Sequence, residues 1–393
     1  MVPSPTRISC AGWGRVEADP PPGWKEVTVT VTALLMTGFP GFLGSALLPR
    51  LLARRPQSRA VCLVQGQYLE TAVERIRELE VTDPQTTGRI ELVAGDITMP
   101  GLGLSPEVSA SLDAVTEVWH LAAVYDLHVA HELARSVNVG GTVNVLELCW
   151  SLPSPPRLHY VSTCYVSGQY DGEFTEDALD EGQAFRNHYE ATKFTAELLV
   201  RQAMHRGLPA TVYRPGIVVG DSETGETQKF DGLYFFASFL QRQGPVALVP
   251  RLADPDRVRV YLVPRDFVVA AMDELSVLDE SVGRTYALAD PQAPTAHEIV
   301  DAFADRLGKR VVWVPMFAGL ARLAIDTIPG VSRLLGLPGE LVDYFASPTT
   351  YSTANTQRDL DGTGVACPAF SDYVDRLLDF MVEHPEVSSR AMV

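Results

Sequence analysis

The chain has 393 residues, of which 46% are hydrophobic and 21% charged. That is the composition of an ordinary globular protein able to bury a large core, so disorder as the dominant state is excluded. Lys and Arg number 32 against 49 Asp and Glu, a formal net charge of −17; so acidic a surface repels phosphate backbones and anionic lipid, which argues against nucleic-acid binding and against membrane docking by charge alone.

The first 26 residues carry acidic side chains and a proline run where a signal peptide needs an apolar stretch, and they predict a disordered extension. From 27 to 215, short β-rich runs alternate with amphipathic segments. The predicted strands are 27–36, 60–64, 90–95, 117–122, 158–163 and 210–214; helices are predicted at 41–55, 137–150 and 190–207. Strands joined by helices of that length pair in parallel, because a parallel crossover needs a dozen or more residues. The expected fold class is therefore α/β: a Rossmann-type doubly wound parallel sheet over 27–215, completed by some later segments. Residues 216–393 are expected to form mainly a smaller C-terminal substrate-binding domain. In that half a polar loop at 220–232 precedes apolar helical pieces at 311–324, 340–345 and 370–384. The most apolar stretch there is broken by Arg322 and Asp326, so it reads as an amphipathic helix and not as a span of ~20 apolar residues. No membrane span is expected.

Strand one runs into Thr37, Gly38, Phe39, Pro40, Gly41, Phe42, Leu43 and Gly44, followed directly by a helix. Three glycines three apart at a strand-to-helix turn allow the tight bend, the close approach of a pyrophosphate and helix–strand packing. The free N–H groups and the helix dipole then face the phosphates. The placement after a β-run and before an amphipathic helix, as well as the glycines, is what a dinucleotide site requires; a Gly-rich turn without a ligand is the other reading. The residue closing strand two is Gln65, where Asp or Glu would hold a ribose 2′-hydroxyl and Arg a 2′-phosphate. Without a carboxylate there, NADP is the preferred expectation and NAD the alternative. Arg54, Arg55, Arg75 or Arg77 could supply positive charge nearby.

Tyr189 and Lys193 lie four apart, on one face of a predicted helix. A phenol is a poor proton donor–acceptor at neutral pH unless its pKa is tuned, and a nearby ammonium is expected to lower it. Thr163 ends strand five, 26 residues upstream, where a hydroxyl could hold a substrate carbonyl. The adjacent Cys164 should face the opposite way, into the core.

The segments TGFPGFLG (37–44), GDIT (95–98), HLAA (120–123), NVGGTVNVLELC (138–149), YVSTCYVSG (160–168), YEATK (189–193) and YRPGIVVGDS (213–222) resemble an extended short-chain dehydrogenase/reductase. The FPGFLG wording, the VST triplet and RPGIVVGDSETGETQKFDG are most similar to the thioester-reductase and fatty-acyl reductase branch, the male-sterility type. The resemblance implies that Gly38, Gly41 and Gly44 bind the pyrophosphate and that Asp96 and Ile97 flank the adenine. It places Ala122 and Ala123 on the nicotinamide side, with Pro215, Gly216 and Val218 shaping the nicotinamide pocket. It makes Thr163 the carbonyl-polarising group, Tyr189 the proton donor and Lys193 the group that tunes it. Lys193 would also hold the cofactor's ribose. Asn138 matches an asparagine that supports a proton-relay water, although a buried polar residue bonding backbone explains it equally. Gln65 departs from the Arg usual in this branch.

The activity so implied is NAD(P)H-dependent reduction of a carbonyl or an acyl thioester, presented by coenzyme A or a carrier protein, to aldehyde or alcohol. Two rivals share the fold: ketone reduction or alcohol oxidation, and sugar-nucleotide epimerisation or dehydration, for which Arg251, Arg257, Arg259 and Arg265 could hold a diphosphate. A nucleotide-sensing module without chemistry is a third, and Thr163, Tyr189 and Lys193 argue against it. The second half, with Tyr344, Phe345 and Tyr351, is expected to enclose the organic portion, and Tyr165, Tyr170, Phe185, Tyr234, Phe235 and Phe236 could line it. Five scattered cysteines without a C-x-x-C pair, and histidines without ligand spacing, predict neither disulfides nor a metal site. A cytoplasmic setting follows from the same cysteine usage, and a homodimer through two long helices follows from the resemblance.

Overall fold

The computed structural model describes residues 32–125, 130–230, 232–251, 254–315 and 347–387. The N-terminal extension, residues 27–31 of the first predicted strand, the helix predicted at 340–345, and Tyr344 and Phe345 lie outside the described residues. In chain order the described strands are β1 (Ala33–Thr37), β2 (Arg59–Val64), β3 (Ile90–Ala94), β4 (Val115–His120), β5 (Arg157–Val161), β6 (Glu173–Phe174), β7 (Ala210–Pro215), β8 (Ile217–Val219), β9 (Val246–Arg251), β10 (Leu262–Pro264), β11 (Thr285–Leu288), β12 (Arg310–Pro315) and β13 (Thr350–Tyr351). The described α-helices are α1 (Phe42–Arg54), α2 (Leu69–Thr82), α3 (Pro106–Ala110), α4 (His131–Ala134), α5 (Gly141–Ser151), α6 (His188–His205), α7 (Leu233–Gln241), α8 (Arg265–Ser276), α9 (Ala296–Arg306), α10 (Ala354–Leu360) and α11 (Phe370–Glu383).

Seven parallel strands form the central sheet in the order β11-β7-β5-β4-β1-β2-β3. The chain reverses direction across the sheet between β1 and β4, which opens a crevice at the carboxyl ends of those strands. Both faces are covered, which is why β1 and β7 are buried along their whole length, β1 as an almost wholly apolar run and β7 with Thr211 and Arg214 among its buried side chains. Alternate residues of β1 feed opposite layers. Leu34 and Met36 pack with Leu47, Leu48, Leu51 and Leu52 of α1 and with Val268 and Met272 of α8. Ala33 and Leu35 pack with Val145 and Cys149 of α5 and with Ala196 and Val200 of α6. Each fully buried aliphatic side chain contributes about 1.5–3 kcal/mol, so these two layers set where the strand ends and helix starts fall.

β11 comes from the second half of the chain yet pairs with β7, in the register Tyr286 to Tyr213. Another cluster gathers Phe236 and Phe239 of α7, Ile299 and Phe303 of α9, and Tyr373, Leu377 and Met381 of α11. The helix expected at 311–324 is corrected in its described part: 310–315 is strand β12, paired in parallel with β9. Arg-Val-Val-Trp-Val-Pro is β-branched and aromatic at four of six positions, and β9 offers it a ladder; such residues fit a pleated surface better than a helix turn. Residues 316–324 lie outside the described residues. No described helix is long and apolar enough to cross a membrane.

Candidate active site

The crevice begins where β1 turns into α1. Gly38 has φ +92°, and a Cβ there would stand 2.8 Å from the Ala122 amide nitrogen. A Cβ at Gly41 or Gly44 would lie 2.7 or 2.6 Å from the Gly38 carbonyl oxygen. Only glycine fits at all three, and the resulting surface is bare backbone. α1 starts at Gly41 with no side-chain cap and no acidic residue in its first turn, so its leading N–H groups and dipole are available to an anion. The donor set and the missing Cβ atoms fit the diphosphate of a nicotinamide dinucleotide.

The rest of the turn is fixed from behind. Thr37 is buried; its Oγ1 accepts from the Ala122 N–H at 3.2 Å and bonds His120 Nδ1 at 2.8 Å. Phe39 packs in the core, the Pro40 carbonyl accepts from Ser45 Oγ at 2.8 Å, and Leu43 packs against the same core. Phe42 lies under the Arg265 guanidinium, 5.0 Å from ring centroid to Cζ. Ala123 follows Ala122, partly exposed, at the carboxyl end of β4.

At the end of β2, Gln65 is half-buried, accepts from Gln67 Nε2 at 3.1 Å and is hydrogen-bonded to the Asp96 carboxylate. Burial disfavours the charge on Asp96, but donors from Thr98 and Gln65 outweigh it and hold the carboxyl below its ordinary pKa. Ile97 is buried against α5, and its carbonyl accepts from Asn144 Nδ2 at 2.7 Å. Arg54 and Arg55 are not near Gln65. They stand at the far end of α1, where Arg54 pairs with Asp273 and Glu274 and Arg55 with Glu117. Arg75 pairs with Glu78, one helical turn away.

Thr163, Tyr189 and Lys193 come together at the carboxyl end of β5. Thr163 is buried at the start of a 3₁₀ turn, and its hydroxyl is 3.4 Å from the Pro215 carbonyl it donates to. It is also hydrogen-bonded to the Tyr189 phenol. Asn187 caps α6 by accepting from the Glu190 N–H at 2.9 Å, which sets the helix start at His188, one residue before Tyr189. Lys193 is buried; its Nζ donates to the Tyr160 hydroxyl at 3.0 Å and to the Val161 carbonyl at 2.7 Å.

The expected acidification of Tyr189 by Lys193 is not what this geometry produces. Burial pushes the phenol up to about 12, with the Thr163 hydrogen bond opposing. Burial pushes Lys193 down to about 7, with Glu197 opposing. The ammonium is turned to β5, so its nearest phenol is Tyr160. Beneath it, His120 bonds Thr142 Oγ1 at 3.1 Å, and burial first, then Lys193, lowers its pKa to about 3.

Asn138 lies in a π-turn between α4 and α5 (Arg135–Gly140) and is buried. Its Oδ1 accepts from the Val124 N–H at 2.8 Å, and its Nδ2 donates to the Val124 carbonyl and to Thr192 Oγ1, both at 3.0 Å. Both ends of the amide are thus engaged by protein, fastening the loop after β4 to α6. Gly216 is another forced glycine, since a Cβ would meet the Tyr261 carbonyl oxygen at 2.3 Å. Val218 sits in β8, paired with Val263. Cys164 is buried with Sγ on the Arg214 carbonyl, and burial raises its pKa, so it is an inert thiol. Tyr234 and Phe236 belong to the core, with Phe235 packed against it. Tyr165 and Tyr351 meet edge to face, as do Tyr170 and Phe174. Phe185 packs on Phe194, their rings 5.0 Å apart. Among the described residues no three His, Cys, Asp or Glu side chains could hold a metal.

Tyr160 and Glu197 were not anticipated as part of this site. The signal for Glu197 was present: it follows Lys193 by one helical turn. Tyr160 points to Lys193 only once β5 and α6 are packed.

Residues 36–272 match the family model described as Male sterility protein. The chain is 30% identical over 284 residues to a linear gramicidin synthase of Brevibacillus parabrevis, covering 70% of this chain and 5% of that protein. It is 26% identical over 311 residues to the aldehyde reductase lnbA of Aspergillus flavus, covering 75% of this chain and 30% of that one. Among solved structures, the terminal R domain from the myxalamid PKS-NRPS biosynthetic pathway superimposes with a TM-score of 0.77 at 29% identity, covering 90% of this chain and 91% of that one. The chain spans under a third of the length of both curated relatives.

Proposed function

The chain belongs to the Male sterility protein family and is an NAD(P)-dependent oxidoreductase of the extended short-chain dehydrogenase/reductase type, and we propose that its reaction is the reduction of an acyl thioester. The thioester is borne by a carrier protein or by coenzyme A. The observation that carries the reading is the hydrogen-bonded pair of Thr163 and Tyr189 hydroxyls beside a Cβ-free phosphate cradle.

We assign Gly38, Gly41 and Gly44 with the start of α1 to the cofactor diphosphate, Asp96 and Ile97 to the adenine side, and Ala122, Ala123, Pro215, Gly216 and Val218 to the nicotinamide side. When bound, the reduced nicotinamide supplies a hydride to the carbonyl carbon, and loss of the thiol then leaves an aldehyde. Thr163 and Tyr189 donate hydrogen bonds to the carbonyl oxygen as negative charge builds on it, the electrostatic contribution that usually dominates such steps. Tyr189 carries the proton that oxygen needs, and a phenol held near 12 keeps that proton throughout the neutral range. Lys193, whose Nζ donates to the Tyr160 hydroxyl at the same end of β5, is the basic group we assign to the relay that resupplies Tyr189. Asn138 holds the loop after β4 in place.

Gln65 replaces the carboxylate that would repel a 2′-phosphate, so NADPH is the preferred cofactor, with NADH accepted. Sugar-nucleotide chemistry is disfavoured by the cations it would need: Arg259 donates to the Ala293 carbonyl, Arg265 pairs with Asp221 and Glu226, and Arg251 with Asp254. The test is cofactor oxidation across acyl-CoA and acyl-carrier thioesters, ketones and sugar nucleotides. Turnover with thioesters supports the reading, and turnover confined to the other two classes overturns it.

A further inference from the structure

We propose that Glu197 is a positioning residue of the proton-transfer site: its buried carboxylate fastens the ends of β5 and β7 to α6 and supplies the counter-charge for Lys193. The inference rests on the reductase reading only for its kinetic consequence. Glu197 lies four residues after Lys193 and eight after Tyr189, so all three share one face of α6. It is fully buried, where a carboxylate stays ionised only when saturated with donors. Ser162 Oγ donates at 2.6 Å, Arg201 Nε at 3.0 Å, and Arg214 through Nε at 3.1 Å to both oxygens and through Nη2 at 2.6 Å.

Two of those donors adjoin the site. Ser162 directly precedes Thr163. Arg214 directly precedes Pro215, whose carbonyl accepts from the Thr163 hydroxyl. One carboxylate thereby joins the segments that present Tyr189, Thr163 and the Pro215–Gly216 wall. Arg214 and Arg201 both spend further N–H groups on the Glu176 and Ala178 carbonyls, so the 175–178 loop is tied to the same point.

Lys193 faces the Tyr160 hydroxyl and Val161 carbonyl on β5, His120 on β4, and Glu197 on α6, with Arg214 of β7 behind Glu197. Glu197 is the one anion in that set. An ion pair serving the fold alone would need only the arginines; here the carboxylate also opposes the loss of the Lys193 proton.

The chain holds four lysines, Lys25, Lys193, Lys229 and Lys309, so protein labelled with ε-¹³C lysine gives four signals, and Lys193→Arg assigns one of them. In Glu197→Gln the Lys193 midpoint should fall by about one pH unit or more, the size of a lost buried charge contact. Glu197→Asp keeps the charge on a shorter stem and should shift it less. With a thioester substrate, Glu197→Gln should lower kcat about tenfold or more while cofactor Kd stays within about threefold, the pattern of a group that acts through the chemical step. An unmoved Lys193 midpoint in a folded Glu197→Gln protein overturns the proposal; if that variant does not fold, an unmoved midpoint in Glu197→Asp does so. A shifted midpoint in a protein whose wild type turns over no thioester leaves Glu197 in its place and sinks the reductase reading instead.

Discussion

Lys193 donates its ammonium to the Tyr160 hydroxyl at 3.0 Å, and the burial that comes with this placement, opposed by Glu197, sets the protonation of the lysine. Below its folded-state pKa of about 7 the site holds a charge in a buried setting; above it, the site is neutral. The unfolded chain keeps the same proton up to 10.5. Between those values unfolding takes up a proton, so stability must rise with pH across that window and lose this contribution as pH falls through about 7. Denaturant melts of wild type and Lys193→Met should diverge by about 1 kcal/mol per pH unit above pH 7, with wild type gaining. Parallel curves would show that the lysine keeps its charge when folded.

Tyr189→Phe removes the phenolic proton and leaves the ring. Turnover should drop by a factor of about 10²–10⁴, the usual worth of a positioned proton donor, while cofactor affinity measured by fluorescence changes little. Because burial pushes this phenol up to about 12, wild-type reduction should show no loss from its ionisation between neutral and mildly alkaline pH.

Gly38→Ala places a methyl against the Ala122 nitrogen in a left-handed backbone conformation. The expected outcome is loss of cofactor binding by about tenfold or more, with a stability cost on the order of 1–3 kcal/mol from strain. Retained affinity would show that the diphosphate lies elsewhere.

Asn138→Ala strips two hydrogen bonds from the Val124 backbone and one from Thr192 in a buried setting. Unsatisfied buried groups cost about 1–3 kcal/mol each, so the melting midpoint should fall by several degrees. Turnover per folded molecule should fall with it, since the loop after β4 loses its tie to α6.

Gln65→Asp introduces the carboxylate that favours a ribose 2′-hydroxyl and repels a 2′-phosphate. The ratio of kcat/KM for NADPH over NADH should drop about tenfold or more; an unchanged ratio would remove Gln65 from the ribose site.

Much of this architecture was legible because the signals are local. Five predicted strands fall within two residues of β2, β3, β4, β5 and β7, and the described part of the first ends beside β1, since apolar runs bounded by helix-length segments call for parallel pairing. The glycine turn was legible for the same reason: the requirement for missing side chains is written within seven consecutive residues, at Gly38, Gly41 and Gly44. What stayed hidden depends on packing between distant segments. Residues 311–315 read as the start of a helix, but they belong to a strand that pairs with β9, some sixty residues earlier. Helical spacing put Tyr189 and Lys193 on one face, yet could not say that the ammonium turns to Tyr160. Glu197 and Arg214 are 17 residues apart on different elements, and no periodicity joins a helix residue to a strand residue across a sheet.

The position of β11 bears on how the protein can be dissected. Some seventy residues separate it from β7, its neighbour in the sheet. A fragment ending at Pro215 would therefore expose the ladder edge of β7 and uncover Tyr213, which stacks on Tyr286 with ring centroids 6.2 Å apart. A bare edge of unpaired backbone groups invites pairing with other chains. Truncation at that point should yield aggregates, and the smallest soluble nucleotide-binding piece must carry the chain through Leu288.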